Sequence, residues 1–595
     1  MRKRERTCIC TITIPTISAR ALAVAAMLAI GAPVPGAAQG DTPLGDIRLN
    51  ALAASYFAEH WRIDPIAATS AGVHDYDDKL GSYDADGYAE RIDLARKTLA
   101  SLAAIDPATL GAEASYDQQI FQSRLQSTVL SLATMETWKH QPVSYSDDAS
   151  NAALDLLSRD FAPLGVRVRA LVARERQMPS MLQDATANIT SVDAVTAGIA
   201  RRDIAGAIEF FTTVVPAGVA PLRDAALQTQ FAASNAAVVA ALHAYLTALE
   251  AGPFAHPSGT FAVGASRFEE MLRYQELTPI PLALYESVGE SALANTKAAF
   301  IATAAKIDAT KSPQEVMQTL SASHPAAGDL LRKATGDLAA LRAFVVAHHI
   351  LTLPADDDVS VAATPEFERS TTFASLSAPG PLEQHATHAF YYVTPVDPSW
   401  SADRQAQHLA FYNDYAFPLV SAHEVMPGHY ANFILDRHEK LSMIRELLRS
   451  PSFSEGWAHY VEQMVVDEGW GEGDPRVRLA QLQGALLREC RYLVGLREHT
   501  QNMSVDEAAR FFEANAFVGA EPAEREALRG AGDPLYGYYT LGKLELLKLR
   551  SDYQRSVGSR YSLQNFHDAL LAHGDPPFTI ARKLLLGADD DGKLL

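Results

Sequence analysis

His423-Glu424-Val425-Met426-Pro427-Gly428-His429, followed by Glu455-Gly456-Trp457-Ala458, is the stretch on which the reading of the chain turns. Two imidazoles flank a carboxylate. Neutral imidazole ligates zinc, and a neighbouring glutamate takes the proton of a water held by the ion. The familiar form of such a motif has its histidines at i and i+4 of one helix. Here the second histidine is six residues on, and Pro427 stands at i+4. At about 100° per residue, six residues end roughly 120° from the starting face, so a regular helix cannot aim both rings at one ion. Pro427 interrupts the hydrogen-bond ladder and Gly428 admits unusual backbone angles. The helix is therefore predicted to bulge or break there, swinging His429 back toward His423. Glu455 is the expected third ligand, from a second, antiparallel helix that the small Gly456 and Ala458 let pack close. Ligands His423, His429 and Glu455 leave one position open, as a catalytic zinc site requires. Glu462, seven residues on and on the same face as Glu455, is placed to orient a ligand histidine from behind.

Around this segment the chain reads as mainly α. Residues 46–62, 82–104, 283–306 and 312–348 carry apolar positions three and four apart, and 150–250 is rich in Ala, Leu and Val with few breakers. Between 351 and 400 the pattern changes to Pro, Gly and acidic residues. There, Ala389-Phe390-Tyr391-Tyr392-Val393-Thr394 reads as a strand that ends at Pro395. Helical periodicity returns at about 402 and runs to roughly 570, and the tail from Ala588 is expected to fray. The predicted organisation is a helical region over 39–350, a β-containing connecting segment over 351–400 and a helical, zinc-binding catalytic region over 401–595. At 595 residues, two or more lobes are expected.

The first 38 residues read as a secretory signal. A basic start precedes the apolar run Ala21 to Ile30, then Pro33 and Pro35, with Gly36-Ala37-Ala38 offering small residues for cleavage before Gln39. An exported protein, periplasmic or secreted, is expected, with no stable membrane insertion once the leader is gone. The formal charge is −20, and removing the leader's five basic side chains and Glu5 takes it to about −24. Such a body repels phosphate backbones, which argues against nucleic acid as a partner. Cys8 and Cys10 fall in the leader, so Cys490 stands alone; there is no disulfide framework, and a thiolate metal site is poorly supported.

These residues resemble the bacterial family catalogued as domain of unknown function 885, whose members carry His-Glu-x-x-Pro-Gly-His followed by Glu-Gly-Trp-Ala. Asp64-Pro65, Ala68-Thr69 and Gly72-Val73-His74-Asp75-Tyr76-Asp77 resemble its N-terminal signature. Tyr539-Thr540-Leu541-Gly542-Lys543 and the stretch from Phe566-His567-Asp568 to Gly574 resemble its C-terminal one. The resemblance implies a two-lobed, multi-helical fold with a deep cleft, similar to gluzincin-type zinc metallopeptidases. It implies one zinc ion on His423, His429 and Glu455, with Glu424 as general base. It also implies an edge strand along the substrate backbone, a role that suits residues 389–394 with Tyr391 and Tyr392. One departure is visible. Relatives carry Asp-Thr-Gly-x-His after a pair of arginines, whereas Arg488 and Arg491 are followed here by Gly495-Leu496-Arg497-Glu498-His499.

The expected chemistry is metal-assisted hydrolysis of a peptide or small amide, with Glu424 relaying the proton to the leaving amine. Tyr539 is the first candidate oxyanion donor and His567 the second. Arg488, Arg491 and Arg550 offer planar forks for a substrate carboxylate, helix salt bridges being their bland alternative. His499 is a candidate for the substrate site or for simple packing, and His74 is assigned to a turn. The rivals are a zinc hydrolase of non-peptide amide conjugates and an inactive exported binding protein. A serine hydrolase ranks low, since no Gly-x-Ser-x-Gly elbow occurs.

Overall fold

The computed structural model describes residues 42–355, 358–365, 369 and 372–595. The expected leader, with Cys8 and Cys10, lies outside the described residues. The chain is mainly helical. The first periodic segments become Leu44–Ile63 and Ala85–Ala103, and 283–306 becomes Leu282–Ile307. The stretch 312–348 divides into Pro313–Ser321, opened by a reciprocal Ser312–Glu315 cap, and Leu330–Ala347. The alanine-rich region becomes a set of packed helices that bury Leu171, Met181, Ile204, Val238 and Leu242 in one core. Within it, Ala225–Ala251 is long and apolar enough to cross a membrane by length and composition, which the sequence reading did not flag. Its Leu227, Phe231, Val238, Leu242, Tyr245 and Leu249 are buried in that core.

The β element is a three-stranded sheet of β1 (Val359–Ala363), β2 (Ala374–Ser377) and β3 (Ala389–Val393), in the order β1-β3-β2. β1 runs parallel to β3 with Val361 opposite Tyr391, and β2 runs antiparallel to it with Leu376 opposite the same residue. The expectation that 389–394 forms an edge strand is therefore corrected. Both edges of β3 are occupied by short Ala- and Ser-rich partners, and β2 supplies a sheet edge instead. The tail is corrected as well. Arg582 binds Asp590 and Asp591, both at 2.9 Å, and Leu594 is buried in the core.

Six helices carry the site: α1 (Phe417–Glu424), α2 (His429–His438), α3 (Pro451–Asp467), α4 (Pro475–Thr500), α5 (Ala520–Gly532) and α6 (Tyr538–Val557). One core joins α1, α2, α3 and α6 to the sheet through Tyr391, Phe417, Tyr430, Trp457, Val461 and Leu546. Beside it, α4 packs on Leu282–Ile307, where Tyr285 and Tyr492 stack at 3.9 Å. α3 and α6 cross with backbones touching: a Cβ added to Gly456 would stand 2.5 Å from the Gly542 carbonyl carbon.

Candidate metal centre

The predicted break is complete. α1 ends at Glu424, the Met426–Pro427 peptide is cis, and α2 starts on His429 itself. Val425 and Met426 still donate to the Ser421 carbonyl, and the Gly428 N–H donates to the Ala422 carbonyl at 2.9 Å. Gly428 has φ −75° and ψ −132°, outside the helical and extended wells. A Cβ there would stand 1.8 Å from the His423 carbonyl oxygen, so only glycine lets the chain fold back this tightly. Trp457 of α3 locks the turn by donating its Nε1–H to the Pro427 carbonyl at 2.9 Å.

The fold brings His423, His429 and Glu455 together. One ligand atom from each lies within 4.8 Å of the other two. Both imidazole Nε2 atoms stand 3.5 Å from Glu455 Oε2. Tetrahedral zinc with bonds of about 2.0–2.1 Å holds its ligand atoms roughly 3.3–3.4 Å apart, so the two histidine–glutamate separations suit an ion of that size. Glu455 Oε2 is buried yet has no hydrogen-bond partner, which a cation would supply. The electrostatics agree. Burial disfavours a charged His423 ring, but the nearby carboxylates of Glu455 and Glu462 push its pKa up to about 9. Burial likewise opposes the Glu455 carboxylate, yet His423 and His429 hold it well below its ordinary range. Two carboxylates round two imidazoles call for positive charge, which a divalent cation would supply in place of a proton.

Glu462 stands behind His423. Its Oε1 lies 2.7 Å from His423 Nδ1, which leaves Nε2 toward Glu455, and it pairs with Arg488 at 2.9 Å. Glu424 closes α1, and its Oε2 accepts the Leu376 N–H of β2 at 2.9 Å. That amide therefore points away from β3, to the outer edge of β2, where the Ala374 carbonyl accepts the Thr372 hydroxyl. Tyr539 also reaches the site. Half-buried, its ring stacks on Tyr538 at 4.7 Å, and burial and then the charge of Glu455 raise its pKa.

Other expected residues are held elsewhere. His567 is buried, with Nδ1 2.7 Å from the Ile350 carbonyl and Nε2 2.9 Å from the Tyr460 hydroxyl, so neither nitrogen is left for a substrate. Tyr391 is a strut, its hydroxyl 3.1 Å from Ser421 Oγ of α1, and Tyr392 stacks on Phe390. Arg491 closes its fork on Glu526 at 2.7 and 2.8 Å, and Arg550 binds the hydroxyls of Tyr460 and Tyr561. His499 packs with Nε2 2.9 Å from the Gly530 carbonyl. At Gly495 a Cβ would meet the Pro534 carbonyl at 3.1 Å, so this residue faces the loop that leads into α6. His74 joins Asp77 to Glu383, at 3.1 and 2.9 Å, tying its turn to the segment before β3.

The fold and site define a mainly helical protein in which His423, His429 and Glu455 converge as a group that could hold a metal ion, with Glu424 adjoining His423 in sequence. The chain belongs to the family described as bacterial protein of unknown function (DUF885), whose model matches residues 65–585. Among solved structures, one from Shewanella oneidensis, described as a "putative lipoprotein of unknown function", is similar at 22% identity. It superposes with a TM-score of 0.77 over 90% of this chain and 99% of that one. A "putative lipoprotein" from Colwellia psychrerythraea is similar at 16% identity, with a TM-score of 0.76 over 92% of this chain and all of that one. Identities this low show the fold alone. No curated protein matches the chain.

Proposed function

We propose that the protein is an exported zinc-dependent hydrolase of peptide bonds. The observation that carries this reading is the convergence of His423, His429 and Glu455 next to a glutamate that ligation does not need. When bound, the ion supplies Lewis acidity and makes a water acidic near neutral pH. His423, His429 and Glu455 hold it, and Glu462 fixes the His423 tautomer. Glu424 accepts the proton of the attacking water and delivers it to the leaving amine, and the Tyr539 hydroxyl donates to the oxygen that gains charge.

A peptide, rather than another amide, is favoured by the position of β2 as an outer strand of the described sheet. An extended backbone adds to such an edge through main-chain hydrogen bonds. The incoming strand competes for the Leu376 amide, so docking frees the Glu424 carboxylate. Export rests on the leader's composition and on the lipoprotein descriptions of the two similar structures.

The test is metal content and turnover of the chain from residue 39. One zinc per chain is expected, lost in His429→Ala. Glu424→Gln should keep the zinc and lose at least about 10²-fold in peptide hydrolysis. Unchanged hydrolysis in Glu424→Gln would refute the mechanism.

A further inference from the structure

Three arginines gather round the tyrosines beside Glu455. Because Gly542 of α6 rests on Gly456 of α3, Tyr538 and Tyr539, one turn earlier, stand where the Glu455 charge acts on both hydroxyls. The Arg488 guanidinium lies 5.7 Å from the Tyr539 ring centre and that of Arg491 5.3 Å. On the neighbouring Tyr536, Arg491 stands at 4.7 Å and Arg529 of α5 at 4.5 Å.

Two of the three are neutralised, Arg488 by Glu462 and Arg491 by Glu526. Arg529 forms no ion pair with a carboxylate among the described residues. The two carboxylates on which its charge acts, Glu526 and Asp533, bond to other groups: Glu526 to Arg491 and the Tyr536 hydroxyl, and Asp533 to the Leu535 N–H. Arg529 is exposed, and the Tyr538 and Tyr539 hydroxyls make no hydrogen bond among the described residues. A chain of net charge −20 thus keeps a guanidinium with no ion-pair partner among the described residues, 4.5 Å from the Tyr536 ring, and two open hydroxyls on which the Glu455 charge acts. A planar fork of this kind matches a carboxylate with two parallel hydrogen bonds.

We propose that Arg529, with Tyr538 and Tyr539, binds a free carboxylate of the substrate, so that the preferred substrates are short peptides with an ionised C-terminus. This rests on the hydrolase reading above. The test uses the zinc-loaded chain and one tripeptide library in two forms, as free acids and as C-terminal amides. The wild type is expected to cleave the acids about ten- to a hundred-fold faster at kcat/KM. In Arg529→Gln the acid-to-amide ratio should fall toward one, mainly through KM. Arg529→Lys, which keeps the charge without the fork, should recover only part of it. Equal cleavage of acids and amides by the wild type, or an acid preference that survives in Arg529→Gln, overturns this proposal and leaves the hydrolase reading standing. Cleavage of neither form by a chain that holds zinc overturns both.

Discussion

Replacing Gly542 by alanine should disturb the metal centre from behind. An ideal Cβ on Gly542 stands 1.7 Å from the Ser452 carbonyl oxygen and 2.9 Å from Gly456 Cα. Real Cβ atoms essentially never come within 3.0 Å of such neighbours, so α3 and α6 must part by about 1.3 Å at this crossing. Both obstacles are helix backbone, so no side chain can rotate out of the way. Glu455 sits between Ser452 and Gly456 in α3 and moves with them. Metal–ligand distances hold to within about 0.2 Å, several times less than the displacement. Gly542→Ala is expected to lose about 1–3 kcal/mol of stability from overpacking, and at least about ten-fold in zinc affinity. Thermal unfolding with and without zinc gives the first quantity, and competition against a chelator of known affinity gives the second. Gly336→Ala is the control. That glycine lies exposed in Leu330–Ala347 with open space at its Cβ, and its replacement should stabilise by up to about 1 kcal/mol. Wild-type zinc affinity in Gly542→Ala would refute the idea that this crossing positions Glu455, whatever happens to the melting temperature.

Three further outcomes are expected. Glu462→Gln keeps the shape of the His423 partner but removes its charge, and should weaken zinc binding about 10- to 100-fold in the same competition assay; unchanged affinity would count against a positioning role. Trp457→Phe leaves the buried Pro427 carbonyl without its donor and should cost about 1–3 kcal/mol in urea denaturation. Burial lowers the His567 pKa to about 3, against about 6.5 in the unfolded chain. Below pH 6.5 the unfolded state therefore binds a proton that the native ring refuses, and stability falls by about 3 kcal/mol on going down to pH 4.5. Urea midpoints across that range should show the loss in the wild type and not in His567→Gln, and parallel profiles would contradict it.

How much of this was legible depended on the range of the interaction. The helix class, the break at Pro427 and the approach of His423, His429 and Glu455 follow from local chemistry: ring, carboxylate, proline, glycine and spacing. Glu462 followed from helix periodicity. β1 and β2 were missed because Val359–Ala363 and Ala374–Ser377 are short, Ala- and Ser-rich and only partly buried, so neither bears the aromatic signature that exposed β3. Without them, β3 passed for an edge. His567 was misassigned because its partners, the Ile350 carbonyl and the Tyr460 hydroxyl, lie more than a hundred residues away in sequence. Arg529 was overlooked for the matching reason, since an arginine stands out only once its neighbours' partners are known. The tail was read as frayed because nothing near Asp590 announces its partner, Arg582, as a buried cation.

A six-residue spacing between ligands gives up what one helix provides without help, a fixed angle between two side chains. Here each part is fixed instead by a tertiary contact of its own. His423 is turned by Glu462 from α3, the reversal that carries His429 is held by Trp457 from α3, Glu455 is placed by the Gly456–Gly542 crossing, and Glu424 is tethered to β2. Three of these four restraints involve α3, which lies in the core and buries Trp457, Tyr460 and Val461 at 1% exposure or less. A site assembled this way is preorganised by packing rather than by helical repeat. Disturbance of α3 should then reach metal binding from any side, whereas substitutions on the solvent face of α2 should leave it untouched.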